Sequence, residues 1–457
     1  MRRYQKKMLL ELTDTLNEAH EQAVKEIKNN NGQMAVGLLG QCQECADSMG
    51  EIIRESEGGD SPVIAVLTKY CEKLYEISLD VDKGKASDSY VSKILLRSYN
   101  DIKNGIINDI PEKLETVFLP YKASMWDSLE SVWKKADADP NCDAYVIPIP
   151  YFDRNPDGTA REEHYEGGQY PSYVPVTDFR KYDFEGRHPD RIYIHNPYDE
   201  GNFVTSVHPF FYSKNLKNFT DELIYIPYFV LADPDPDNEA QLEGLAHFVT
   251  VAAVINADKV IVQSEAMRRA YIKIMTEQTG SNTRQYWEQK ISGEGSPKFD
   301  KIENTKKEDI EIPEDWKKVM QKSDGSMKKL IMYNTGVQAL IDNDEKMLDK
   351  IEDVLNVFRE NKDEVTLLWR PHPLIGATIS SMKPHLQQRY AKILEEYLSG
   401  GWGIYDDSPD LDRAIILSDA YYGDRSSVVE LYKRTGKPIM IENPDILEKE
   451  GTGEKDG

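Results

Sequence analysis

Val365-Thr-Leu-Leu-Trp-Arg-Pro-His-Pro373 runs from β-branched and apolar residues into an abrupt stop. Each proline fixes its own φ and biases the residue before it towards extended backbone, so the segment reads as a strand ending where Arg370 and His372 are presented. A strand this apolar, with no polar face, belongs inside a parallel sheet covered by helices on both sides. Outward from it, similar short strings at 329–333, 415–418 and 438–441 alternate with helical spacings, and a second set lies at 144–149, 191–195, 223–227 and 259–263. The expected fold is therefore α/β, with two doubly wound, Rossmann-like lobes facing one another across a cleft. Residues 293–307, rich in Gly, Ser, Pro and charge, are the expected hinge, and the charged 153–168 segment is expected as either a long mobile loop over the cleft or an idle surface excursion. Further upstream, Met8, Leu12, Leu16, Ala19, Ala23 and Ile27 repeat with a helical period, as do Val63, Leu67, Tyr70, Leu74 and Ile77. The division that follows is an all-helical module of about four helices at 1–117, a first lobe at 118–300 on the acceptor side, and a second lobe at 301–457 on the donor side.

A chain of 457 residues suits roughly three units at about 150 residues each. Its 56 basic and 80 acidic residues leave a net charge of -24, which repels nucleic acid and anionic membrane as non-specific partners. Four cysteines are too few and too dispersed to staple the chain, and a reducing, cytoplasmic location is expected. Cys42-x-x-Cys45 continues an apolar stripe with Leu38, Leu39, Ala46 and Met49, so burial on a helix explains it better than metal or redox chemistry. No apolar run is long enough to span a bilayer. Arg2, Arg3, Lys6 and Lys7 read as a solvated helix start, with weak peripheral contact at the inner face of a membrane as the alternative.

Ligands of such lobes lie at the carboxyl ends of the strands. There, Arg370 offers a planar fork of donors and His372 a group that donates or accepts a proton, both suited to diphosphate oxygens. Ser418-Asp419-Ala-Tyr-Tyr-Gly423-Asp424-Arg425-Ser426-Ser427 leads into a helical run, so the paired serines and the first free N–H groups suit an anion, with Gly423 allowing close backbone approach. In the first lobe, His195 and His208 are the candidate general bases, with Asp199 to orient one of them. Asp233-Pro-Asp-Pro-Asp237 reads as an exposed acidic turn rather than a metal site; no metal or cofactor is expected.

The segments Gly295-Ser-Pro-Lys-Phe-Asp300, Arg370-Pro-His-Pro373 and Ser418-Asp419 through Asp424-Arg-Ser-Ser427 resemble the CDP-glycerol glycerophosphotransferase family of teichoic-acid synthesis and its relatives. The resemblance covers about 118 to the end, leaves the helical module aside, and implies a GT-B-like two-lobed fold. It also implies that Arg370, His372, Ser418, Asp419, Asp424, Ser426 and Ser427 grip a nucleotide-activated donor, CDP-glycerol in the family. A hydroxyl of a polyol, glycan or lipid-linked acceptor would attack the glycerol-bearing phosphorus, and CMP would leave. The first lobe departs from the polymerases' Trp-His-Gly pattern, since His195 is followed by Asn196 and Pro197. Two alternatives stand beside it. One is a GT-B glycosyltransferase or sugar-nucleotide epimerase using the same phosphate grip; the other is a non-catalytic scaffold whose helical module recruits a partner.

Overall fold

The structure is a computed structural model that describes residues 1–155, 157–202, 205–408 and 410–441. Four antiparallel helices open the chain: α1 (Arg3–Lys28), α2 (Gly32–Glu57), α3 (Pro62–Asp82) and α4 (Asp88–Asp109). Each packs on its neighbours in sequence, and α1 also packs on α4, which closes a bundle. The helical repeat read from the sequence is its seam: Leu9, Leu16, Leu39, Met49, Leu67, Leu74, Leu95 and Ile102 are buried together. Cys42 joins them, as the apolar stripe implied, and none of the four cysteines is bridged. Part of the basic start of α1 is bonded within the molecule, while Arg3 and Lys7 stay exposed. Arg2 donates to the Arg187 carbonyl (2.8 Å), Lys6 to the carbonyls of Ile107 and Ile110, and Arg3 faces Glu112 at 3.4 Å.

The first lobe is a six-stranded, all-parallel sheet ordered β2-β1-β5-β7-β8-β9, with β1 (Leu114–Leu119), β2 (Cys142–Val146), β5 (Arg191–Ile194), β7 (Glu222–Tyr225), β8 (Lys259–Ile261) and β9 (Ile291–Ser292). β1 begins ahead of the division expected at 117/118. It escaped the sequence reading because Glu115 interrupts its apolar run; that carboxylate is buried and paired with Arg187. The second lobe is a five-stranded parallel sheet ordered β12-β11-β10-β13-β14, with β10 (Lys329–Thr335), β11 (Val365–Pro371), β12 (Ile404–Tyr405), β13 (Ala420–Gly423) and β14 (Ile439–Ile441). The two-lobed α/β architecture with a helical module ahead of it is thus the one the sequence implied.

Three local expectations are corrected. The strand expected at 415–418 is the end of a helix, Leu411–Leu417, and the strand follows at β13. Ala414 to Leu417 are all buried, because this helix is enclosed between the sheet and its neighbours; a short run apolar all round does not distinguish a buried helix from a buried strand. The expected loop at 153–168 contains β3 (Tyr151–Arg154) and β4 (Ala160–His164), which form a three-stranded antiparallel sheet with β6 (Thr205–Val207). Finally, the expected hinge at 293–307 contains the helix Pro297–Asn304, started by Pro297 behind the Ser296 cap. Phe299 and Ile302 of this helix are buried in the second lobe's core, while Asp300 accepts a hydrogen bond from Ser131 of the first lobe (2.6 Å). A folded helix wedged between the lobes takes the place of a loose linker.

Candidate functional site

The carboxyl edge of the second sheet is organised by Asn334, at the end of β10. Its amide donates to the Arg370 carbonyl on β11 (2.9 Å), and its side-chain oxygen accepts from Ser426 (3.0 Å) beyond β13. Gly423 (φ 136°) lets these strand ends close up, since a Cβ there would lie 2.2 Å from the Asn334 carbonyl oxygen. The glycine serves this backbone contact, where the sequence suggested approach to a ligand. Asp424 is buried; one carboxylate oxygen accepts from Lys350 (2.7 Å) and the other from the Gly336 N–H (2.7 Å). Arg370 is buried as well, with its guanidinium bonded to the Asp406 carboxylate and to the Ser408 carbonyl (2.7 Å). Arg370 and Asp424 are therefore framework, each committed to a buried opposite charge.

What stays open lies around this frame. His372 sits immediately past β11 and Arg425 just past β13, on either side of β10 by the strand register. Both are exposed, as is Ser427. Among the described residues the Arg425 guanidinium makes no hydrogen bond or ion pair. His372 accepts from the Leu374 N–H through Nδ1 (3.1 Å), Nε2 makes no hydrogen bond among the described residues, and partial desolvation pulls its pKa below the usual value. Ser426 is a plain helix cap: it accepts from the Val428 N–H at the start of the Ser427–Lys433 helix. Ser418 and Asp419 lie elsewhere. They precede β13 and so occupy the amino edge of the sheet, where the Ser418 hydroxyl donates to the Ala414 carbonyl (2.7 Å) and Asp419 accepts from the Leu330 N–H (2.9 Å). The strand displacement is the cause, because a strand at 415–418 would have delivered both to the carboxyl edge.

Of the two expected bases in the first lobe, His195 is enclosed and His208 stays exposed. His195 is fully buried; Nε2 accepts from the Tyr121 N–H (3.1 Å) and Nδ1 is 2.8 Å from the Ser128 hydroxyl, which in turn donates to the Met125 carbonyl. Both ring nitrogens are thus spent on shaping the turn after β1, and burial pushes its pKa down to about 3. Asp199 caps the turn at Ser213, accepting from its N–H (2.7 Å) and hydroxyl (2.9 Å), and touches neither histidine. His208 is exposed but accepts from the Phe210 N–H (3.2 Å) beside the small antiparallel sheet. Other residues that the sequence reading missed gather beside the turn after β1. Lys122 places its amine 4.9 Å over the Tyr151 ring, and Tyr151 donates to Glu166 (2.7 Å). Asp153, Glu162 and His164 bring potential metal-ligand atoms within 4.8 Å of one another, but Arg161 holds the same Asp153 oxygen at 3.0 Å, an unfavourable neighbour for a cation.

The Pro297–Asn304 helix touches both lobes. Asp127, in the turn after β1, bonds Lys298 of this helix, and Lys301 bonds Glu130 (2.9 Å). From the second lobe, Asp412 enters in the first turn of the Leu411–Leu417 helix, which packs on the same helix. Since that helix ends directly before β13, its start lies at the carboxyl edge.

No protein-family model matches the chain, and no curated protein matches it. Among solved structures it is similar to Staphylococcus aureus MnaA bound to UDP, at 12% identity over 72% of this chain and 78% of that one, with a TM-score of 0.42. A putative UDP-N-acetylglucosamine 2-epimerase from Listeria monocytogenes is similar at 12% identity, 72% and 79% coverage and a TM-score of 0.43. The wall teichoic acid polymerase TagF is similar at 15% identity, 80% of each chain and a TM-score of 0.37. The fold is read from the sheets themselves, and the chemistry from the residues.

Proposed function

We propose that the chain is a transferase that holds a CDP-glycerol-type donor at the carboxyl edge of its second sheet and moves the glycerophosphate group to a hydroxyl acceptor, releasing CMP. The observation that carries this reading is the exposed Arg425 guanidinium, without a partner among the described residues, in a chain of net charge -24, with open His372 and Ser427 on the same buried frame. An arginine left unpaired against so acidic a background suits an anionic ligand, and a guanidinium, imidazole and hydroxyl together match phosphate oxygens. Transfer of this kind is driven by positioning and by neutralising charge on the departing phosphate, which requires no covalent participation from the protein. The choice of CDP-glycerol rests on Arg370-Pro-His-Pro373 and Asp424-x-Ser-Ser427; Arg370 contributes by holding the strand end through Asp406, with His372 and Arg425 as the donor contacts.

The test is nucleotide release from CDP-glycerol, UDP-sugars and CDP-sugars, with a panel of polyol, glycan and lipid-linked acceptors. CMP release from CDP-glycerol alone is expected, falling by about 10²–10³ in Arg425→Ala, as for loss of one charge-stabilising donor. Turnover of a UDP-sugar alone would transfer the protein to the epimerase or glycosyltransferase class. Failure to bind any nucleotide would leave the scaffold reading.

A further inference from the structure

His372 and Arg425 stand just past β11 and β13, so their spacing is set by whatever joins the ends of those two strands across β10. Asn334, level with Arg370 on one side and Gly423 on the other, bonds to both at once. Its side-chain amide donates to the Arg370 carbonyl (2.9 Å), two residues before His372, and its side-chain oxygen accepts from the Ser426 hydroxyl (3.0 Å), next to Arg425. Its main-chain carbonyl accepts from the Asp424 N–H (3.0 Å), on the other side of Arg425. The following residue, Thr335, accepts from the His372 N–H (2.9 Å). Asn334 is buried, and its amide suits the place chemically: one arm is a donor for β11 and the other an acceptor for the turn after β13. Alanine offers neither, and a carboxylate has no proton for the Arg370 carbonyl.

We propose that Asn334 is a positioning residue for the donor grip: it ties His372 and Arg425 into one unit, so that the two bind the same diphosphate together. The inference rests on the transferase reading for the identity of the donor, and on the hydrogen bonds of Asn334 for the coupling. The brace is closed on both flanks. On one, Asp424 accepts from Lys350 and from the Gly336 N–H (2.7 Å each), and the Tyr421 hydroxyl donates to the Asp424 carbonyl (2.5 Å). On the other, Arg370 is anchored by Asp406 and the Ser408 carbonyl. A buried polar group with both arms bonded fixes geometry more tightly than apolar packing, because any displacement strands a donor or an acceptor. The same chemistry makes an aspartate at 334 informative. Ionised, it sets a charge against the Arg370 carbonyl; protonated, it regains the amide's pattern of one donor arm and one acceptor arm.

Binding of inorganic pyrophosphate to the full chain, followed by calorimetry across pH, tests this without turnover. The wild type should bind it. His372→Ala and Arg425→Ala should each weaken binding, and the double variant should lose less than the product of the two, as residues acting as a unit do. Asn334→Ala should weaken binding about tenfold at every pH. Asn334→Asp should match that loss at alkaline pH and approach the wild type, compared at the same pH, as its carboxyl takes up a proton; lost packing would show no such recovery. In the release assay, Asn334→Ala should lower kcat/KM by about 10². Unfolding curves check that the variants fold. Where the Asn334 variants do not, Ser426→Ala removes one arm of the brace and should make the effects of His372→Ala and Arg425→Ala independent. Three results each overturn the positioning role: folded Asn334→Ala binding pyrophosphate as the wild type does, Asn334→Asp tracking Asn334→Ala at every pH, or unchanged coupling in Ser426→Ala. A wild type that binds no pyrophosphate overturns the grip and the brace with it. Pyrophosphate binding that depends on Asn334, without turnover of any nucleotide donor, sinks the transferase reading alone.

Discussion

His195 and Arg425 show how much a single residue's meaning depends on what surrounds it. The imidazole follows a strand in the first lobe, as a general base would, yet it is buried with both nitrogens bonded and serves the turn that presents Tyr121 and Ser128. Its folded pKa of about 3 lies below the ordinary 6.5, so the folded state holds it neutral. The stability it contributes is complete above about pH 6.5 and is lost as the pH falls towards 3, because the unfolded chain takes up the proton first. His20, hydrogen-bonded to Tyr70 (2.5 Å) and pushed down to about 4, acts in the same direction. Urea titrations at neutral and mildly acidic pH should therefore show a fall in unfolding free energy that His195→Asn reduces without abolishing. At neutral pH the same variant should lose about 1–3 kcal/mol through its unmade hydrogen bonds and, where folded, keep its turnover. Arg425 was one letter of a motif in the sequence, and its lack of a partner among the described residues distinguishes it from Arg370.

Among the elements, the Pro297–Asn304 helix bears most on function. Its sequence is polar enough to read as a linker, but Phe299 and Ile302 lie one turn apart on its inner face and are buried. The Arg434 guanidinium lies 3.7 Å from the Phe299 ring centroid, which ties the helix to the end of the Ser427–Lys433 helix in the second lobe. Because one helix carries Lys298 and Asp300 towards the first lobe and Phe299 into the second, its packing sets how the two carboxyl edges face each other. Phe299→Ala should cost about 3–5 kcal/mol of unfolding free energy, measured by denaturant titration. It should also weaken nucleotide release more than an equally destabilising cavity in the α1–α4 bundle, such as Leu39→Ala. Equal effects on release from both would mean that the helix contributes stability alone.

At the scale of the molecule, the helical bundle is attached to the first lobe through the start of α1. Arg2 reaches the Arg187 carbonyl, Tyr4 stacks on His188 with centroids 4.9 Å apart, and the Arg3 N–H donates to the Lys113 carbonyl (3.0 Å). If these contacts carry the docking, the interface should separate before its modules melt. Arg2→Ala with Tyr4→Ala should weaken docking by about 1–3 kcal/mol and divide a single calorimetric transition into two; one unsplit transition would show that the bundle is held by more than this edge. Among the described residues no helix is long and apolar enough to cross a membrane. The architecture was legible in the sequence because burial on both faces writes continuous apolar runs for parallel strands, and burial on one face writes a 3.6-residue period for the bundle. Both signals are local, so strand ends near Arg370 and the helical stripe through Cys42 were readable from neighbouring residues. Which polar groups remain open was not, because that depends on partners far apart in the chain. Arg370 is neutralised by Asp406, 36 residues on, Asp424 by Lys350 at a separation of 74, and Asp127 by Lys298 at 171. Charges paired over such distances leave no period or spacing in the sequence, and only folding left Arg425 without a partner among the described residues.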